Sequence, residues 1–128
     1  MNQDLLFMDH TGKVLHAPIF TPLLRVLFPA LLANADEIQI RHSRSQPNNI
    51  SAAYNKGGQS IPLSVEPDFH WPDVFVRLKL VAGMSIADAG HQTGEIALQF
   101  QDRVIPASIE ITENEKAEAV DLKLKATL

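Results

Sequence analysis

The chain has no cysteine. That excludes disulfide staples, thiolate nucleophiles and cysteine-ligated metals, and it suits a reducing compartment. An excess of positive charge is also missing: 11 Lys and Arg against 15 Asp and Glu give a formal charge of −4. Nothing electrostatic therefore points to DNA, RNA or anionic lipid, and the one basic stretch, Arg41-His42-Ser43-Arg44, reads as a solvated loop. No long apolar run is present. The longest, Leu23 to Ala33, is broken by Arg25 and Pro29 and reaches about half of a membrane span. The start, Met1-Asn2-Gln3-Asp4, has no basic n-region, and Leu5-Leu6-Phe7-Met8 is cut off by Asp9, so no signal peptide is expected.

Catalytic signatures are missing as well. No Gly-x-x-x-x-Gly-Lys-Ser/Thr loop exists to cradle phosphates, and the glycine pair Gly57-Gly58 has no helix behind it. No Gly-x-Ser-x-Gly elbow surrounds any serine. The histidines His10, His16, His42, His70 and His91 lack metal-binding spacing, although His10 and His16 would approach each other across a first hairpin. Glu110, Glu113, Glu115 and Glu118 cluster around a turn and read as a solvated edge. The single Trp, Trp71, opens a helix and reads as a core anchor. Catalytic, cofactor and metal sites are therefore all expected to be none.

What is present is the composition of one soluble globular domain, 128 residues with 45% apolar and 20% charged side chains. Leu5–Met8 and Lys13–His16 flank the turn set Asp9-His10-Thr11-Gly12 and predict an N-terminal hairpin over 1–17. Thr21 before Pro22 reads as an N-cap. Leu23, Leu24, Leu27, Leu31 and Leu32 then recur at helical spacing to a stop at Asn34, with Pro29 predicting a kink or a lost bond. Glu37 to Arg41 alternates as a strand, Ser43 to Asn49 reads as a polar loop, and 50–54 and 61–65 predict a second hairpin with Pro62 at an edge. A second helix is expected from Asp68–Pro72, with Trp71, Val74, Phe75, Leu78, Val81 and Ala82 as its buried stripe. Val76 and Leu80 widen that stripe until most of the girth should be covered. Ile96 to Phe100, Ile105 to Ile111 and Val120 to Leu124 predict a three-strand meander. The expected class is α+β: a mainly antiparallel sheet with two helices packed on it, forming a single domain over 1–128.

Several local stretches resemble the domain that precedes the motor in type II secretion and type IV pilus assembly ATPases. These are Leu31-Leu32-Ala33-Asn34-Ala35-Asp36-Glu37-Ile38-Gln39-Ile40, at a helix-to-strand junction, and Ala53-Tyr54-Asn55-Lys56-Gly57-Gly58 at the next turn. Arg77-Leu78-Lys79 follows, then Ala82-Gly83-Met84-Ser85-Ile86-Ala87-Asp88 and Gln92-Thr93-Gly94-Glu95-Ile96, the last resembling the family's Gln-Asp-Gly-Arg turn. The likeness covers 18–128. It implies a PAS-like fold, a bacterial cytoplasmic setting, and an accessory domain standing without its ATPase motor. The chain also departs from the pattern. The family's segment before Gln-Asp-Gly-Arg is basic, whereas here Asp88-Ala89-Gly90-His91-Gln92 is not, and the final Arg is Glu95. An acidic side chain at that point would repel a phosphate, so no ATP contact is expected.

Two functions remain open. One is a non-catalytic protein-interaction domain that docks on such a secretion machine or on its own copy. The other is a PAS-like small-molecule sensor. Where the resemblance places the motor-facing side, the interaction surface would comprise Arg77, Lys79, Asp88, His91 and Glu95.

Overall fold

Alternation of apolar and polar side chains builds most of the molecule. A computed structural model describes residues 5–9, 11–15, 20–65, 69–87, 90–100 and 103–125. Its elements are β1 (Leu5–Met8), β2 (Val14–Leu15), α1 (Thr21–Leu32), β3 (Glu37–Ser43), β4 (Gln46–Lys56), β5 (Gln59–Leu63), α2 (Trp71–Val81), β6 (His91–Phe100), β7 (Arg103–Glu113) and β8 (Ala117–Leu124). The strands form one eight-stranded sheet in the order β2-β1-β6-β7-β8-β3-β4-β5, antiparallel at every step. The expected α+β class is therefore what the chain adopts. The N-terminal hairpin is not an appendage, because β1 pairs with β6 and extends the sheet.

One face of this sheet is apolar. Ile38 and Ile40 of β3, Val120 and Leu122 of β8, Ile105 to Ile111 at every second position of β7, and Ile96, Leu98 and Phe100 of β6 are buried. Register keeps them on one side: Ile38 opposes Leu122, Ile109 opposes Leu122 and Ile96 opposes Ala107. Both helices press onto that face, α1 through Leu23, Val26, Leu27, Ala30 and Leu31, and α2 through Trp71, Val74, Phe75, Leu78 and Val81. Each large side chain so covered contributes roughly 1.5–3 kcal/mol. The opposite face carries Arg41, His91, Glu95, Glu110, Asp121 and Lys123, as a solvated sheet face should.

Both helices end the same way. After α1 the Ala35 amide bonds the Ala30 carbonyl and the Asn34 amide bonds the Leu31 carbonyl, with Asn34 at φ 57°. After α2, Met84 bonds Lys79 and Gly83 bonds Leu80, with Gly83 at φ 75°. These are paired Schellman closures, which require a left-handed residue just past the helix and explain the stops at Asn34 and Gly83. Gly57 and Gly58, at φ 57° and 84°, form the two-residue turn that joins β4 to β5. Pro62 falls on β5, the edge strand, as expected.

Four local expectations need correction. The first helical residue is Thr21 itself, with Phe20 at the cap position and no side-chain cap, because Phe20 is held by the core and not by solvent. The polar residues 46–49 are strand and not loop; the ladder shifts register between His42 and Ser43 to take them in. Gln92 to Glu95 is no turn either, but the first half of β6, paired to β7 from His91 onward. Val76 and Leu80 remain 39% and 48% exposed, so the covered stripe on α2 is narrower than the apolar content suggests. His10, His16 and Asp68 lie outside the described residues.

Gly94 shows why that strand segment carries a glycine. It faces α2, and a Cβ there would lie 2.7 Å from the Ala82 carbonyl oxygen and 3.0 Å from the Ala82 Cβ. The backbone at the end of α2 sits on the sheet at this point, so any side chain forces the helix away. Gly94→Ala should destabilise the fold by about 1–3 kcal/mol in urea unfolding. Glycine-to-alanine exchange at Gly90, where a Cβ meets nothing within 4 Å, removes no packing and serves as the contrast for backbone strain alone, its φ being 99°.

Candidate functional site

The richest polar constellation lies on the covered face, beneath α2. Glu113 ends β7 and Glu118 opens β8, and the register sets them directly opposite each other. Glu113 stands two residues beyond buried Ile111 and Glu118 two before buried Val120, so strand alternation turns both carboxylates inward. His42, two residues beyond Ile40, joins them from β3. Opposed like charges on one face repel, and the fold answers with two cations.

Lys79 reaches down from α2 and donates to Glu113, while lying 5.3 Å from the Phe75 ring centroid. Arg44, from the β3–β4 turn, bonds Glu118 at 3.2 Å and stands 3.8 Å from Glu113. The second oxygen of Glu118 accepts from the Trp71 indole N–H at 2.9 Å and lies 2.9 Å from His42 Nδ1. A proton on Nδ1 makes the imidazole the donor in that contact, and its ring stacks on Trp71 at 5.1 Å between centroids. Two carboxylates, a lysine, an arginine, an indole and an imidazole thus close on one another. Lys79 is 3% exposed and both carboxylates are largely covered, so the set ties helix to sheet, with Arg44 as its solvent-facing member.

The four described residues of the five expected to share a surface do not meet on one. Arg77 is exposed on α2. Lys79, one-half turn away, is instead in the buried tether, which removes it from any surface. Asp88 lies outside the described residues. His91 and Glu95 sit on β6 at positions that alternate away from the helices, on the opposite face of the sheet from Arg77. There His91 Nε2 pairs with Glu110, and Glu95 accepts from Lys125 at 2.9 Å and from Ser108 at 3.1 Å. Hydrogen bonding from His91 holds the Glu110 carboxyl below the usual glutamate range, and Lys125 and Ser108 do the same for Glu95. Glu95 lines a shallow concavity of about 400 Å³ with Thr93, Ser108, Glu110, Asp121 and Lys123, open to solvent on this face.

Every described histidine has a carboxylate: His42 with Glu118, His70 with Asp73, His91 with Glu110. Among the described residues no group of three or more His, Asp or Glu is placed to hold a metal, and no helix is long and apolar enough to cross a membrane. No protein-family model matches the chain, and no curated protein is significantly similar to it.

Two outcomes test this geometry. Lys79→Ala leaves Glu113 buried with only the more distant Arg44, and should cost about 3–5 kcal/mol in chemical denaturation. The pair Lys79→Met with Glu113→Leu, which removes both charges, should recover most of that loss. The second outcome concerns pH. Because the Glu110 pKa is depressed in the folded chain, its contribution to stability is present above the unfolded pKa and fades as pH falls through the native one. His91→Ala should move the Glu110 carboxyl midpoint, followed by NMR, upward toward the ordinary glutamate range.

Proposed function

We propose that this chain is a non-catalytic protein-interaction domain, related to the N-terminal domain of secretion and pilus-assembly ATPases, that docks on a motor protein of that class in the cytoplasm. The single observation that carries this reading is the outward side of α2. Asp73, Val76, Arg77 and Leu80 recur at intervals of three and four residues and are all exposed, two of them apolar. Ile86, in the segment that follows, is 49% exposed. A helix held on its inner side by a charged tether, and apolar again on its outer side, suits rigid docking against a second protein.

The PAS-like part of the reading is supported by chain order. Three consecutively paired strands (β3 to β5), a helix and a three-strand meander follow one another, with β8, the last strand of the meander, closing on β3. The non-catalytic part is supported by the absence of a phosphate loop from the sequence and by the mutual pairing of the buried charges.

The test is co-elution of the purified chain with a secretion or pilus ATPase motor from the same cell, alongside sizing of the chain alone. Wild type should co-elute. Val76→Asp with Leu80→Asp should weaken that association at least about tenfold while far-UV circular dichroism is unchanged, since both side chains are already in solvent. A chain that runs as a monomer and retains no motor, or one whose binding ignores the double substitution, would overturn the proposal.

A further inference from the structure

At the end of the sheet remote from the tether, a second concavity opens where α1 finishes. Leu31, Asn34, Ala35 and Asp36 form one wall, Lys56 at the end of β4 another, and Arg103, Ile105, Leu124 and Lys125 the remainder, around a volume of about 240 Å³. Its chemistry is divided. Leu31, Ala35 and Ile105 are buried side chains that form an apolar floor, while three cations stand at the rim.

Lys125 bonds Glu95, but Lys56 donates only to the Asn34 carbonyl, at 2.9 Å, and Arg103 lies 5.8 Å from the Phe100 ring centroid. Neither Lys56 nor Arg103 has a carboxylate partner among the described residues. The one acid in the wall, Asp36, is engaged through Oδ2 by the Gly57 amide at 3.1 Å. Lys56 and Arg103 thus stand beside an apolar floor with no acidic partner among the described residues.

We infer that this cleft binds a small amphipathic carboxylate, its charged end on Arg103 and Lys56 and its aliphatic or aromatic body on Leu31, Ile105 and Leu124. Arg103 supplies a planar fork that matches a carboxylate, Lys56 a mobile point charge, and the floor discriminates against fully polar anions. A volume of about 240 Å³ admits a body of several carbon atoms. The inference does not rest on the docking reading: the cleft shares no residue with the α2 face, so either can fail without the other.

The test is a methyl and amide NMR titration of the whole chain with hexanoate, acetate, inorganic phosphate and hexylammonium, each at matched ionic strength. Hexanoate should shift the Leu31, Ile105 and Leu124 methyls in a saturable manner, and acetate should bind at least about tenfold more weakly. Arg103→Gln and Lys56→Gln should each weaken hexanoate by about tenfold, with Lys116→Gln, on the distant β7–β8 turn, as the unaffected control. Both changed side chains are exposed, so folding is not at stake. No saturable shift with hexanoate overturns the inference. So does equal binding of acetate or hexylammonium, preference for phosphate, or indifference to both substitutions.

Discussion

Glu113 and Glu118 face each other across a tight hairpin on the buried side of the sheet, and that juxtaposition must be neutralised before the domain can close. One cation comes from α2 as Lys79 and the other from the β3–β4 turn as Arg44. The backbone adds a further link, because the Arg44 amide donates to the Lys116 carbonyl in the neighbouring turn. Helix, hairpin and turn are therefore held by one electrostatic requirement. Hydrophobic burial supplies most of the gain from folding, but it is non-directional; the charge pairing is what fixes the rotation of α2 on the sheet.

That rotation has consequences on both sides of the helix. With Lys79 and Leu78 turned inward, the 100° step per residue carries Val76, Arg77 and Leu80 outward. At the far end of α2, the Schellman closure at Gly83 brings the Ala82 carbonyl down onto β6, where only a glycine leaves room. Gln92 completes the seat: its side-chain amide accepts from the Ser85 N–H and donates to the Ser85 carbonyl, both at 3.0 Å, and ties the segment after the helix to the same strand. The glycine and the glutamine of Gln92-Thr93-Gly94 are thus explained by packing alone.

The sequence made some of this legible and concealed the rest for physical reasons. Positive-φ positions announce themselves, so Gly12, Asn34 and Gly57-Gly58 marked turns and a helix end correctly. Alternation recovered the apolar halves of β3, β6, β7 and β8. It failed where a strand turns polar side chains inward, as with Gln92 and Gly94, since a pattern of polar residues and glycine imitates a turn. The tether was concealed by charge, because Glu, Lys and Arg are assigned to solvent by default. Yet the signal was there: Glu113, Glu118 and His42 each continue an apolar every-second-residue series by one step. Lys79 lies four residues after Phe75, on the same side of α2.

The two ends of the sheet differ in a way that bears on function. β7 runs from Arg103 to Glu113, a length of about 34 Å at the usual rise of an extended strand. At the Glu113 end, Glu113 and Glu118 are matched by Lys79 and Arg44 and largely covered beneath α2. At the Arg103 end, Lys56 and Arg103 have no carboxylate partner among the described residues, and the apolar floor is open. Burial of charge requires local compensation, whereas solvent-facing charge does not, so a surplus survives only where a site is accessible. Sites this far apart, with no shared partners, contribute independently to stability to within a few tenths of a kcal/mol. The closed end can thus serve as the fixed frame, while the outer side of α2 and the cleft beneath α1 change without disturbing it.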